Sequence, residues 1–219
     1  MALPVNTKYN LQQAGLILWY LLLLFFAWLM WLITLQYIPA RRDAAFLNVK
    51  LEVVDLLPYR IAFFTHVYSS MFVLVAGMIQ FNGYMRQSFP ALHRYSGRIY
   101  VSVILLLSGP TGLIMGYYGN GGIVAQTGFC LLAVLWLIFT YKGYAAIRSR
   151  NMPAHRKWMY RSYALTLSAI SLRLWKWGLV YLLEPRPMDL YQVTAWLGWT
   201  GNLLIAELLI YKFITKTRS

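Results

Sequence analysis

The sequence predicts an all-α polytopic membrane protein, a bundle of six transmembrane helices forming one integral membrane domain over residues 1–219. Three observations predict it. Hydrophobic residues make up 60% of the 219-residue chain and charged residues 12%, against roughly 25% charged in soluble domains. The apolar residues gather in six runs, each reaching the about 20 residues that a helix needs to cross hydrocarbon. The runs also take up most of the chain, and a helix satisfies its own backbone groups in lipid at that length.

The first run, near 15–38, is far longer than the about 7–15 residues of a signal-peptide core, and no small-x-small pattern precedes Pro39, so it reads as a retained span. The connection 39–59 mixes Arg41, Arg42, Asp43, Lys50, Glu52 and Asp55 with apolar residues. It is expected to lie in the interface, packed on the helix ends rather than acting as a lid.

The second run, 60–82, carries His66 beside Thr65, Ser69 and Ser70. The third, 95–118, holds Ser108-Gly109-Pro110-Thr111-Gly112 at its midpoint. Proline there predicts a kink, and the glycines predict close approach of a neighbouring helix or a flat ligand. Tyr117 to Gly122 is a glycine turn into the fourth run, 122–147. That run contains Cys130, the single cysteine, so no intrachain disulfide can form. The fifth run is 157–183, and Glu184-Pro185-Arg186-Pro187 turns the chain into the sixth, 190–214. Trp19, Tyr20, Tyr117, Tyr118, Trp175, Trp177 and Tyr181 fall near run ends, as interfacial aromatics do.

Six runs put the N-terminus, the 83–94 and 148–157 loops and the C-terminus on one side. With the adjoining helix ends, that side counts thirteen basic residues, from Lys8 through Arg86 and Arg148 to Lys212, Lys216 and Arg218. The other side counts five: Arg41, Arg42, Lys50, Arg60 and Arg186. The positive-inside bias predicts both termini in the cytoplasm. The net charge of +14 is then a topology and anionic-lipid signal, not one for nucleic acid.

Two stretches nearly copy each other. Pro90-Ala91-Leu92-His93-Arg94 and Pro153-Ala154-His155-Arg156 each precede a second arginine, Arg98 or Arg161, and begin runs of the same direction. Proline suits a first helical turn because its missing N–H has no partner there. The repeat sets two of the three histidines at one depth. At about 1.5 Å per residue, Arg98 and Arg161 lie about 8–9 Å inward of them. Glu207, on the last run, reaches the same depth, which predicts a buried Arg98–Glu207–Arg161 network, serving as a helix pin or a proton-handling site.

Three readings fit His93 and His155: interfacial histidines bonded to phosphate or loop carbonyls; axial ligands of one haem b, with Arg94, Arg98, Arg156 or Arg161 on its propionates; or ligands of copper or zinc, with Met159 or His66. His66, about 9 Å below the opposite face, and Arg173, roughly 27 Å along from His155, form a second polar site too far from His93 to share a metal ion. A nucleophilic enzyme is not expected, since Gly-x-Ser-x-Gly, P-loop and dinucleotide-binding glycine patterns are absent and acidic residues are too few for glycosidic or two-metal chemistry.

These residues carry a resemblance. The features are His66 followed by Gly77 and Gln80; His93-Arg94-x2-Gly97-Arg98-x-Tyr100; Gly128-Phe129 and Trp136; His155-Arg156-x-Trp158-Met159-x-Arg161 with Ala164-Leu165-Thr166; and Arg173. Over about 60–180 the chain resembles the bacterial membrane-protein family catalogued as domain of unknown function 2306. The resemblance implies a helical inner-membrane protein and singles out His66, His93, His155, Arg161 and Arg173, without an activity. A looser analogy to b561-type cytochromes rests on histidines at helix ends beside arginines. The chain departs from that pattern in having one histidine, not a pair, near the opposite face.

The function expected is that of a multi-pass protein of the bacterial cytoplasmic membrane whose His/Arg cluster holds haem or another redox metal for electron transfer, with quinone or a membrane redox protein as partner. As an enzyme it would be a membrane-bound oxidoreductase. The alternative is an accessory or assembly subunit, or a small transporter, that holds no cofactor and uses its ionic network structurally or for an anionic lipid or solute.

Overall fold

The computed structural model describes residues 7–212, and among them every regular element is helical. Helix α1 spans Thr7–Leu35. A 3₁₀ turn, Ala45–Val49, and the one-turn α2, Leu51–Val54, lead to α3, Leu57–Gln80, and the short α4, Gly83–Ser88. Next come α5, Pro90–Val103, a π-helical turn, Ile104–Ser108, and α6, Gly109–Tyr117. The remainder is α7, Gly122–Arg148; α8, Met152–Thr166; α9, Ser168–Leu183; and α10, Pro187–Ile210. Residues 213–219, which hold the end of the sixth expected run and Lys216 and Arg218 of the charge count, lie outside the described residues.

Among the described residues five stretches are long and apolar enough to cross a membrane: Gln13–Leu35, Leu57–Gln80, Pro90–Tyr117, Gly122–Arg148 and Pro187–Ile210. The fifth expected run is instead two helices of 15 and 16 residues meeting at Leu167. At the join the Leu167 ψ opens to −10°, and Ile170 N–H bonds the Leu167 carbonyl three residues back. The first turns of α8 also carry His155, Arg156, Lys157 and Arg161, so neither piece is a long apolar stretch.

Helices α3, α5, α6, α7, α8 and α10 pack side by side, α9 lies against α10, and α1 meets the bundle chiefly through α3. The two copies of the repeat both start helices with proline in the first turn. In the second, the Asn151 side chain caps the helix by accepting from Ala154 N–H at 3.1 Å. The midpoint kink of the third run is the π turn. Proline at 110 has no N–H to give and crowds the carbonyl four residues back, and Gly109 N–H bonds Ile104 O, five residues back. The space where a Gly109 side chain would stand is filled by Leu137, 2.4 Å from the ideal Cβ position.

At mid-bundle a closed set of hydrogen bonds ties α5, α7 and α8. Trp136 Nε1–H donates to Thr166 Oγ1 (3.1 Å), which bonds Tyr100 Oη (2.8 Å), then Ser162 Oγ (2.9 Å), then Thr140 Oγ1 (2.7 Å), which donates to the Trp136 carbonyl (2.7 Å). The indole can only donate and the carbonyl only accept. One direction therefore serves the whole circuit, with each hydroxyl donating once and accepting once. All five residues are buried, where such a chain is mutually polarising and a gap in it is costly.

The 39–59 connection packs on the helix ends as expected. Leu47 and Val54 are buried with Tyr37, Tyr59 and Phe63 in a small aromatic cluster, while Arg41–Asp43 and Arg42–Asp55 are exposed ion pairs.

Candidate functional site

Lys50 Nζ donates to the Tyr118 carbonyl, Tyr59 stacks edge-on to Tyr118, and Gln192 Nε2 donates to the Gly121 carbonyl. The 39–59 connection, the 118–121 turn and the start of α10 therefore share one end of the bundle. Inside that end the helices enclose a cavity of about 530 Å³. Its wall is largely apolar. The polar groups on it include Lys50, Tyr59, His66, Arg173, Lys176 and Tyr191. Trp136 and Thr166 also line it, so the hydroxyl circuit forms its floor.

His66 is fixed by the π turn. Its Nδ1 lies 2.8 Å from the Ser108 carbonyl, which can only accept, so Nδ1 carries the proton and Nε2 of the neutral ring keeps its lone pair. Ser69 Oγ bonds Ser108 Oγ at 2.7 Å, and Ser70 Oγ donates to the His66 carbonyl at 2.6 Å. Gly112 leaves room for the ring edge: His66 Cε1 is 3.0 Å from its ideal Cβ position. π-helical turns recur where a helix presents groups for function; this one presents a carbonyl to an imidazole.

Arg173 reaches the cavity from α9, its Nη1 donating to the Ala169 carbonyl of its own helix at 2.6 Å. Arg173 and Lys176 are exposed as well as lining the cavity, which sets them at its opening. Lys50 is buried, 5% exposed, and burial pushes its ammonium below the ordinary lysine range, with Glu52 acting weakly in the opposite sense.

At the other end, His155 Nδ1 lies 2.8 Å from the Gly143 carbonyl of α7, so Nδ1 carries a proton and donates it there. His93 Nδ1 is buried with no partner among the described residues, and His155, Arg86 and Arg94 all act on this ring through space. Neither histidine lines the cavity. Arg94, Arg98 and Arg156 are exposed. Among the described residues no three His, Cys, Asp or Glu side chains gather where a metal ion could bind. His66 is held at the π turn, away from the other two, so it does not complete a three-histidine site.

The Arg98–Glu207–Arg161 network requires correction. Arg161 grips Glu207 through both oxygens, at 2.5 and 2.8 Å, but Arg98 takes no part in an ion pair among the described residues. Glu207 is half exposed, at 50%, rather than buried, because α10 turns that face outward from the bundle. Arg161 also stacks over Trp158, 4.7 Å from the ring centroid, with Lys142 at 4.6 Å. Trp158 thus holds the guanidinium in place of a second carboxylate.

Several residues of the resemblance have plain packing roles. Gly77 accommodates the Tyr163 ring, whose Cε2 is 2.2 Å from the ideal Cβ position. Gln80 bonds the His93 carbonyl and Ser96 Oγ, both at 2.6 Å, and passes over Gly97. Gly128 lies against α10, where an ideal Cβ position would stand 3.1 Å from the Ala195 carbonyl oxygen. Lys50, Tyr59 and Tyr191 are cavity residues that the sequence reading did not single out. For Lys50 the signal was present: a lysine within Phe46-Leu47-Asn48-Val49-Lys50-Leu51 is flanked by apolar neighbours.

A sequence model for a family described as predicted membrane protein (DUF2306) matches residues 63–210. No curated protein and no solved structure matches the chain.

Proposed function

The chain belongs to the DUF2306 family of predicted membrane proteins, and from that premise we propose that its work is done in the cavity, as a binding site for a small membrane-soluble molecule. The observation that carries this reading is the convergence of His66, Arg173 and Lys50, from three separate segments, on one largely apolar space. Small-ligand sites combine an apolar wall with a few directed polar groups, in volumes of about 300–1,000 Å³. The protein would be a six-span protein of the bacterial cytoplasmic membrane, α8 and α9 together making one crossing. Both termini would be cytoplasmic, placing the cavity in the outer half. Binding without chemistry suits an accessory subunit or a small transporter. Native mass spectrometry of the protein in mild detergent tests it: a bound small molecule should accompany the wild type and be lost from Ser70→Phe and Ala169→Phe, which project bulk into the cavity. Equal occupancy in all three would reject the site.

A second reading keeps the electron-transfer role at the opposite end, and the His155 contact favours it. A ligating histidine commonly gives its second N–H to a carbonyl, as His155 does to Gly143, and the buried, unpartnered His93 Nδ1 lies within electrostatic range. Haem b, or copper or zinc, would be held by His93 and His155, with Arg94, Arg98, Arg156 and Arg161 as the nearby cations and quinone as the redox partner. Haem b or copper would supply one-electron chemistry, whereas zinc, which has no redox states, would only join the two rings. It would need space other than the cavity, which neither ring lines. A Soret band abolished by His93→Ala and His155→Ala supports this reading; a colourless, metal-free, folded sample removes it.

A further inference from the structure

Among the described residues the cations on the cavity wall form no ion pair, and the one carboxylate that acts on Lys50 does so through space, from Glu52 two residues away. The chain contains six acidic residues, and four of them are committed elsewhere: Asp43 to Arg41, Asp55 to Arg42, Asp189 to Arg186 and Glu207 to Arg161. The other two, Glu52 and Glu184, do not line the cavity. Lys50, Arg173 and Lys176 do line it, and among the described residues none of the three forms an ion pair.

Charges withdrawn from water are costly unless paired. Lys50 is almost fully buried, and its hydrogen bond to the Tyr118 carbonyl uses one of three ammonium donors. Among the described residues Arg173, exposed at the opening, bonds only the Ala169 carbonyl, leaving most of its five donors for an occupant or solvent. Beside these cations the wall is hydrocarbon and aromatic, including Phe46, Phe63, Met71, Leu74, Met115 and Leu172. Arg173 and Lys176 at the opening, Lys50 buried in the wall and an otherwise largely apolar interior ask for an occupant with the complementary division.

Resting on the cavity as the binding site, we propose that its ligand is an anionic amphiphile: a carboxylate or phosphate head met by Lys50, Arg173 and Lys176, on a hydrocarbon tail lying along the apolar wall. The head could belong to a free fatty acid or to a phospholipid-derived phosphate; the chemistry recognised is the same.

Native mass spectrometry of the full-length protein, titrated with oleate, oleoyl lysophosphatidate and the neutral oleyl alcohol, decides it. At least one anion should bind about tenfold or more tightly than the alcohol, and Lys50→Gln and the double variant Arg173→Gln/Lys176→Gln should each weaken that anion about tenfold. Both variants should leave alcohol binding unchanged, which also reports that they fold. Preference between the two anions identifies the source of the head. If the alcohol binds as well as either anion, the charge assignment fails while the cavity stands. If the anion binds equally to both variants, the assignment of the cations fails. If no probe binds and no small molecule co-purifies, the site itself is rejected along with its ligand.

Discussion

Gly112 and His66 are fitted to each other: the imidazole edge occupies the space that any larger residue at 112 would need, and Cε1 stands 3.0 Å from the ideal Cβ position. The contact runs between α6 and α3 and holds Nδ1 on the Ser108 carbonyl. Gly112→Ala should therefore tilt the ring off its acceptor. Overpacking of this kind costs about 1–3 kcal/mol, so thermal unfolding should show a lower midpoint, with weaker ligand retention in the same sample. An unchanged midpoint would mean that the ring moves freely and is not positioned by the glycine.

The hydroxyl circuit predicts strong non-additivity. Tyr100→Phe removes the link between Thr166 and Ser162, a loss of about 1 kcal/mol, because Thr166 Oγ1 can turn to the Ser162 carbonyl at 3.2 Å and Ser162 Oγ keeps Thr140. Thr140→Val breaks the same circuit at another point. Once one break exists, the second should cost much less, so the double variant should be clearly more stable than the sum of the singles implies. Chemical unfolding of the four proteins measures this, and simple additivity would show that the bonds act independently.

Glu207→Gln should be mild. The carboxylate is half exposed, and Arg161 keeps its Trp158 contact without it. Exposed ion pairs contribute about 1 kcal/mol or less. A folded variant with a small drop in midpoint is expected; wholesale loss of folding would make the pair a structural pin after all.

Ligand binding should depend on pH through Lys50, whose ammonium burial has pushed below its ordinary value of 10.5. Between the lowered value and 10.5 the unfolded chain holds a proton that the folded protein has released, so the empty protein gains stability as pH rises through that window. An anionic ligand has the opposite dependence, because it needs the charged form. Its affinity should fall at a pH below that at which an ordinary lysine titrates, and Lys50→Arg, charged throughout, should extend binding to higher pH. Titration of oleate binding across alkaline pH checks both statements, and parallel curves for wild type and variant would dissociate Lys50 from the head.

Much of the fold was legible because membrane spans are written as composition. The positions of α1, α3, α7 and α10 follow from run length alone, and the interruption within Pro90–Tyr117 from Pro110. The break at Leu167 was not legible, since Thr166-Leu167-Ser168 contains neither glycine nor proline and Thr166 is drawn into a circuit with residues far along the chain. Depth along a helix correctly put Glu207 level with Arg161 but carries no information about rotation, and rotation is what turned Glu207 outward and left Arg98 exposed. His66 and Arg173 were recognisable as costly residues within apolar runs. Lys50 looked like an interfacial loop residue, and only the folding back of the 39–59 connection onto Tyr118 brings it to the cavity.

The five-residue π turn acts as a spacer in phase. Each residue of a helix advances it by about 1.5 Å and about a quarter of a revolution, so excising one residue from Ile104–Ser108 would return the turn toward α-helical phase and swing all of α6 around its axis, with Pro110 still interrupting the hydrogen-bond ladder. The groove at Gly112 would then face away from α3, and the imidazole would lose both its acceptor and its slot at one stroke. A lesion at the turn would thus disarm the chamber while leaving the hydropathy of the span nearly unaltered.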